Sequence, residues 1–184
     1  LQWPPDSLQI YPQNNFAFSG EPTLKLLDNL TFNIEYGFSC LTRDSRLPSS
    51  RTDLGTWLSV RNSSTVNYHA VKADINYLLR KNSFGVGYER IDPGYQTLGG
   101  YYFTNDLENF TFSYARPFWQ DRIHFSVNAG MQHDNLGRNK AEQTNRWVMA
   151  ANMSIVPAEN WNCSLAYSSF QSYTNIKSQF DYIN

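Results

Sequence analysis

The sequence predicts an all-β protein, an antiparallel up-and-down meander of about eight long strands. Three observations predict this fold class. Apolar and polar residues alternate with a period of two, which places each set on one face of a strand. Most alternating runs are about 10–13 residues long, whereas strands of soluble proteins average roughly five or six. Tight turns alternate with long loops, a pattern typical of the transmembrane β-barrel type.

Composition limits the alternatives. The chain has 184 residues, which suits a single domain over 1–184, and its 12 Phe, 12 Tyr and 5 Trp are too many for a disordered chain. Its 15 basic and 16 acidic residues nearly cancel, so we expect no nucleic-acid partner. No apolar run approaches the length of about 18 residues that a transmembrane helix needs.

The strands follow from the alternation and from the residues that interrupt it. In the second strand, Phe32, Ile34 and Tyr36 alternate with Asn33 and Glu35. Similar alternation covers Phe110–Tyr114, Ile123–Met131 and Trp147–Ile155. The predicted strands span residues 16–26, 30–42, 65–79, 83–90, 108–118, 122–133, 145–156 and 161–173.

The connections between these strands fall into two classes. Tight hairpin turns of polar composition are predicted at 27–29, 80–82, 119–121 and 157–160. Long loops are predicted at 43–64, 91–107 and 134–144. Both chain ends then fall on the long-loop side, whereas complete bacterial barrels begin and end on the short-turn side. We therefore expect four hairpins that form part of a larger barrel.

The alternation assigns one set of side chains to lipid and the other to a hydrated lumen. Aromatic residues crowd both ends of the strands, including Trp119 and Trp161 at the short turns and Trp57 and Trp147 on the long-loop side. The candidate lumen-lining residues are Lys25, Glu35, Lys72, Asp74, Glu89, His124 and Asn128. Glu35, Lys72 and Asp74 would form either a charged pore ring or a salt-bridge network of the wall.

No pattern predicts catalysis, a cofactor or a metal site. His124 and Ser126 share a face, but without a third positioned group we expect a wall histidine. Gly85 and Gly87 are expected to relieve crowding on the lumen face. Asp92-Pro93-Gly94-Tyr95 predicts a turn. The candidate loop-binding residues are the aromatics of the second long loop, which form either a sugar-stacking surface or a packed rim: Tyr95, Tyr101, Tyr102 and Phe103.

Two stretches resemble segments of large outer-membrane β-barrel proteins of Bacteroidota. They are residues 88–109, YERIDPGYQTLGGYYFTNDLEN, and residues 167–184, YSSFQSYTNIKSQFDYIN. The resemblance implies a bacterial outer-membrane location and a lipid bilayer as partner. It assigns no catalytic or binding residue.

The function predicted from the sequence is a non-enzymatic segment of a transport or secretion channel, with a plug or a periplasmic protein as a further partner. The alternatives are a barrel-anchored surface-binding protein and a soluble lectin-like or lipid-carrying β protein. The two cysteines, Cys40 and Cys163, lie too far apart on the predicted strands for a disulfide. We expect both thiols to be free and to face lipid.

Overall fold

The computed structural model describes residues 11–49, 61–100, 104–158 and 160–176. In this part of the chain the strands are β1 (Asn14–Gly20), β2 (Thr23–Leu27), β3 (Leu30–Thr42), β4 (Thr65–Leu79), β5 (Asn82–Ile91), β6 (Leu107–Phe118), β7 (Ile123–Asp134), β8 (Glu142–Ala158) and β9 (Trp161–Ile176). All pairs are antiparallel, and every strand from β2 to β8 pairs with the next one along the chain. The all-β up-and-down meander is thus confirmed. The sheet is open, because β9 and the line formed by β1 and β2 are its two edges.

The first predicted strand, 16–26, is wrong in one respect. It consists of two strands, because β1 ends at Gly20 and β2 begins at Thr23, and both pair with β3. Pro22 lies in the gap, and proline has no N–H to donate to a ladder. Its carbonyl still accepts a 3.0 Å hydrogen bond from the Ile34 N–H, so the two strands remain in line.

The tight turns and long loops lie where the alternation predicts them, with changes at the boundaries. In the third turn, Trp119, Gln120 and Asp121 all have positive φ, and the Arg122 N–H closes it on the Trp119 carbonyl at 3.1 Å. Positive φ at the two central residues is the conformation that matches the twist of a hairpin. The fourth turn is shorter than predicted, because Pro157 and Ala158 still belong to β8.

The register places the predicted apolar residues on one face. Directly paired residues of an antiparallel sheet point to the same side. One complete row across six strands is Phe32, Ile75, Val86, Phe112, Ala129 and Met149. Many side chains of this face are exposed, among them Phe112 at 45% and Val86 at 53%.

The few buried residues cluster at the long-loop end of the sheet. Among the described residues the buried hydrophobic side chains are Cys40, Leu41, Tyr68 and Leu107. The chain has an accessible surface of 13970 Å², whereas a soluble folded monomer of this mass exposes roughly 9,000 Å². The sheet is therefore a single layer with little core of its own. No helix long and apolar enough to cross a membrane occurs in the described residues.

The two cysteines have different surroundings. Both are free, as predicted. Cys163 is exposed and pairs with Ile155 on the apolar face. Cys40 lies on the same side of β3 as Phe32, as predicted, but the expectation that it is exposed to lipid is wrong, because this residue is fully buried at the long-loop end of β3. The alternation gives the side of the strand correctly, but it does not show what covers that side.

Two glycines on the polar face of β5 relieve crowding, as predicted. A Cβ on Gly87 would lie 2.6 Å from the Asp74 Oδ1 and would also overlap the Thr111 hydroxyl. A Cβ on Gly85 would overlap the Ser113 hydroxyl. Gly130 lies in the same row of paired residues, since Thr111 pairs with both Gly87 and Gly130. By contrast, a Cβ on Gly130 would lie 3.7 Å from its nearest neighbouring atoms.

This difference yields a stability prediction with a matched control. Gly87→Ala should lower the free energy of unfolding by about 1–3 kcal/mol, because the added methyl group overpacks the face. Gly130→Ala should be neutral or slightly stabilising, because alanine loses less backbone entropy than glycine. Urea titration of both variants measures the two effects. Equal changes would contradict the packing described for Gly87.

Candidate functional site

All seven candidate lumen-lining side chains lie on one face of the sheet, which we call the polar face. Lys25 and Asn128 belong to a single row of paired residues that connects them through Thr31, Asn76, Gly85 and Ser113. Glu35, Lys72 and Glu89 are directly paired across β3, β4 and β5. Asp74 and His124 share the face by their pairing with Asn33 and Ser154.

The pairs Glu35–Lys72 and Lys72–Glu89 form what we call the charge row. Asp74 follows two residues after Lys72 on the same face, so three carboxylates accompany one ammonium group. Among the described residues, no ion pair within 4.0 Å joins any of these four side chains. The arrangement therefore differs from the salt-bridge network that the sequence left open, with Glu35 and Lys72 exposed and Asp74 and Glu89 half-buried.

A segment of the second long loop lies across the polar face next to the charge row. We call residues 92–98 the cross-face segment. It starts as the predicted turn: the Tyr95 N–H donates to the Asp92 carbonyl at 3.1 Å, and Gly94 has a φ of 75°. A positive φ at the third position defines a type II turn and favours glycine. The turn directs the chain back over β4 and β3.

Hydrogen bonds fasten the cross-face segment to three strands. Asp92 makes two hydrogen bonds to the backbone of His69 in β4. Its N–H donates to the His69 carbonyl at 3.0 Å, and its carboxylate accepts from the His69 N–H at 2.9 Å. The Ser39 hydroxyl of β3 donates to the Gln96 carbonyl at 2.6 Å. The Leu98 N–H donates to the Asn15 side chain of β1 at 3.2 Å. The segment is thus held along its length.

Close packing adds to these hydrogen bonds. A Cβ on Gly94 would lie 3.4 Å from the ring of Tyr68, which is only 6% exposed. The Tyr95 hydroxyl lies over Gly37, where a Cβ would come within 2.9 Å of it. Burial raises the pKa of the Tyr95 phenol, and the nearby Glu35 carboxylate raises it further. Tyr95 is thus a neutral, half-buried side chain at neutral pH.

An open pocket of about 320 Å³ lies between the cross-face segment and the charge row. Its lining includes Glu35, Gly37, Lys72, Glu89, Tyr95 and Thr104. The other half of the polar face, toward the short turns, has a different lining. There a pocket of about 390 Å³ is bordered by several serines, including Ser83, Ser126 and Ser154, together with larger side chains such as Lys81 and His124.

The second and third long loops are clamped to each other. Asp106, only 3% exposed, accepts a 2.7 Å hydrogen bond from the Leu136 N–H and pairs with the Lys140 ammonium. Asn135 closes the third loop, because its side-chain amide bonds the backbone of Lys140 and Glu142. Asp106 and Asn135 both have positive φ, which Asp and Asn tolerate better than most residues. The rim of the sheet is therefore built from interlocked loops.

Sequence reasoning missed several of these residues. Tyr68, Ser39 and Asp106 carry no pattern that separates them from neighbouring strand or loop residues. Gly37 did carry a signal, because glycine inside a strand often marks the close approach of another group. Of the candidate loop-binding residues, Tyr95 lies on the polar face, whereas Tyr101, Tyr102 and Phe103 lie outside the described residues. Trp57 lies outside them as well.

The opposite face carries ionisable groups at its long-loop end. Glu108 accepts a 2.6 Å hydrogen bond from the Tyr88 hydroxyl and contacts His133 at 3.0 Å and Arg90 at 3.7 Å. Arg90, Glu108 and His133 form one row of directly paired residues. This row lies on the long-loop side of the apolar side chains of the same face. Ionisable groups are expected at such a position, where an apolar face ends at water. Within the described ranges, no group of three or more His, Cys, Asp or Glu residues could hold a metal ion.

Comparisons with known proteins identify no family. No family model matches the chain, and no curated protein does. Among solved structures, OpdQ of Pseudomonas aeruginosa is similar, with a TM-score of 0.47 and 13% sequence identity over 90% of this chain. The chain spans about half of that protein, 49% of its length. A similarity this low carries no inference about fold or function.

The clamp yields a prediction in which two lysine–aspartate pairs are compared. The side chain of Asp106 is 4% exposed, whereas that of Asp121, which pairs with Lys81, is 54% exposed. Lys140→Gln should lower the free energy of unfolding by about 1–3 kcal/mol, because it leaves a buried carboxylate without its partner. Lys81→Gln should cost less than about 1 kcal/mol, as exposed pairs do.

Urea titration measures both effects, and hydrogen exchange at the Leu136 amide localises the first. Faster exchange only in Lys140→Gln is expected, since that amide donates to Asp106. Equal costs for the two variants would show that Asp106 does not depend on its partner.

Proposed function

We propose that this chain is part of the wall of a β-barrel in a bacterial outer membrane, with its polar face lining a hydrated channel and its apolar face in lipid. The observation that carries the proposal is the chemical difference between the two faces of a single-layer sheet. One face presents the row from Phe32 to Met149, and the other presents the charge row and many hydroxyl groups.

The height of the apolar face supports a membrane location. On β8 the outward residues run from Trp147 to Ile155. Eight residues at ~3.4 Å each span about 27 Å along the strand, and a tilt of about 40° reduces this to roughly 21 Å. That is close to the apolar band of about 25 Å found on barrels in the outer membrane. A soluble β protein would cover such a face with a second layer, and none covers it in the described residues.

The free edges support a closed barrel with more strands. In lipid, strand edges must be paired, because their N–H and C=O groups have no water. β9 alone offers an edge of 16 residues. An eight-stranded barrel has an interior that side chains alone fill. Here the cross-face segment also lies on the polar face, so a larger barrel suits it better. The resemblance to Bacteroidota outer-membrane proteins supports the same membrane.

The charge row supports passage of charged or hydrated solutes. Three carboxylates against one ammonium group favour cations over anions in the adjoining water. The channel role needs no catalytic group, so the proposal includes no enzymatic activity. The surface-binding alternative has no specific observation in its favour within the described loops.

The orientation of the faces is tested by two neighbouring substitutions on β7. Ala129→Arg should lower the free energy of unfolding in lipid vesicles by about 2–4 kcal/mol, because position 129 meets the hydrocarbon layer. Asn128→Arg should cost much less, because Asn128 lies on the polar face. Reversible urea titration in vesicles measures both. Similar costs at the two positions would rule out the membrane orientation.

The channel role is tested by ion selectivity in planar bilayers. A unit charge on the wall changes the energy of an ion that passes about 6 Å away by roughly 0.7 kcal/mol in water. That energy changes the local concentration of the ion about threefold. Glu35→Gln should therefore lower the cation-to-anion permeability ratio, and Lys72→Gln should raise it, each by up to about tenfold, because the cation and anion concentrations change in opposite directions.

Arg116→Gln is the matched control for Lys72→Gln. Arg116 pairs with Phe125 on the apolar face, which meets lipid rather than the channel in the proposed orientation. The control should therefore change the ratio little. A protein that folds in vesicles but conducts no ions would contradict the channel role and leave the membrane wall standing.

A further inference from the structure

We infer that Tyr95 narrows the channel, with Gly37 as its seat, and that the cross-face segment is a fixed constriction rather than a mobile outer loop. The inference deepens the proposed function and rests on it. It assigns to one side chain the control of how large a solute can pass beside the charge row.

The first ground is position. Tyr95 stands on the polar face, with its hydroxyl above the pair Gly37–Ala70. Glu35 and Lys72, the next pair on this face, lie two residues further toward the short turns. The phenol ring and the loop segment that carries it lie over the wall at this level, in the space through which a solute would travel.

The second ground is the seat. A glycine at position 37 leaves room for the Tyr95 hydroxyl, because even a methyl group would approach it to 2.9 Å. Ala70, which pairs with Gly37, is also small, and its Cβ would lie 3.6 Å from a Cβ added to Gly37. Two small residues side by side in adjacent strands make a shallow depression. The ring end of Tyr95 occupies that depression.

The third ground is rigidity. The cross-face segment is bonded to β4 at Asp92, to β3 at Gln96 and to β1 at Leu98. The Asn105 side chain also donates to the Tyr95 carbonyl at 3.2 Å. Tyr95 is thus bracketed by bonds on both sides. A segment held at several points keeps its side chain at one height, whereas a free loop would give a fluctuating opening.

The size of the opening is tested by single-channel conductance of the full protein in planar bilayers. Tyr95→Ala should raise the conductance roughly twofold, because the narrowest point loses its ring. Tyr173→Ala is the matched control, since Tyr173 pairs with Asn145 on the opposite face and is 61% exposed. It should leave the conductance unchanged. A conducting wild type with an unchanged Tyr95→Ala variant would overturn the inference and retain the channel.

The seat is tested by coupling between the two positions. Gly37→Ala should change the conductance of the wild type, because the methyl group displaces the phenol. The same substitution should have no effect in the Tyr95→Ala background, where nothing occupies the seat. A double-mutant cycle measures this dependence. Additive effects would show that Tyr95 and Gly37 do not act together.

Cysteine labelling tests the placement without requiring conductance. Ala70→Cys in a Cys163→Ser background should react with a charged maleimide about fivefold faster when Tyr95 is replaced by alanine. Ala150→Cys is the control, because Ala150 lies on the polar face of β8 beside Asn128. Its rate should not respond to Tyr95. Equal rates at position 70 in both backgrounds would overturn the placement, even if the protein conducts no ions.

Discussion

The register of the strand ladder is the constraint on which the rest of this structure depends. The sheet is a single layer, so hydrogen bonds between neighbouring strands hold most of it together. Because side chains alternate with a period of two, a slip of one residue would exchange the faces of a whole strand. Tight turns at the ends of β2, β4, β6 and β8 set the register of each hairpin. The continuous apolar row through Phe112 and the pairing of Glu35, Lys72 and Glu89 both follow from that register.

Packing in this protein is concentrated where the ladder ends. At the long-loop end, Tyr68 and Leu41 are buried, and Asp106 is held between two loops. Burial removes water from the Asp106 carboxylate, and the Leu136 N–H and the Lys140 ammonium replace it as partners. The short-turn end has exposed side chains such as Trp119 and Trp161 instead. The long-loop end is therefore packed, whereas the short-turn end consists of exposed turns.

The single layer also explains why the proposed environment is a membrane. A sheet with one apolar and one polar face is stable only if each face meets a matching medium. With water on both sides, the apolar band would be exposed to water. With a protein layer on both sides, the charge row would be buried without partners. Lipid on one side and water on the other satisfies both faces. The cross-face segment then occupies the watery side, where its remaining polar groups keep their hydration.

Much of this fold could be predicted from the sequence, because local chemistry decides it. Alternation determined the meander, the direction of each strand and the common face of Lys25, Glu35, Lys72, Asp74, Glu89, His124 and Asn128, since side-chain direction in a strand follows directly from position. The break at Pro22 and the burial of Cys40 were missed. Only the tertiary structure decided that Tyr95 lies over Gly37 and that Lys140 reaches Asp106. Those contacts join residues distant along the chain through loops, where no periodic pattern records which surface a side chain will meet.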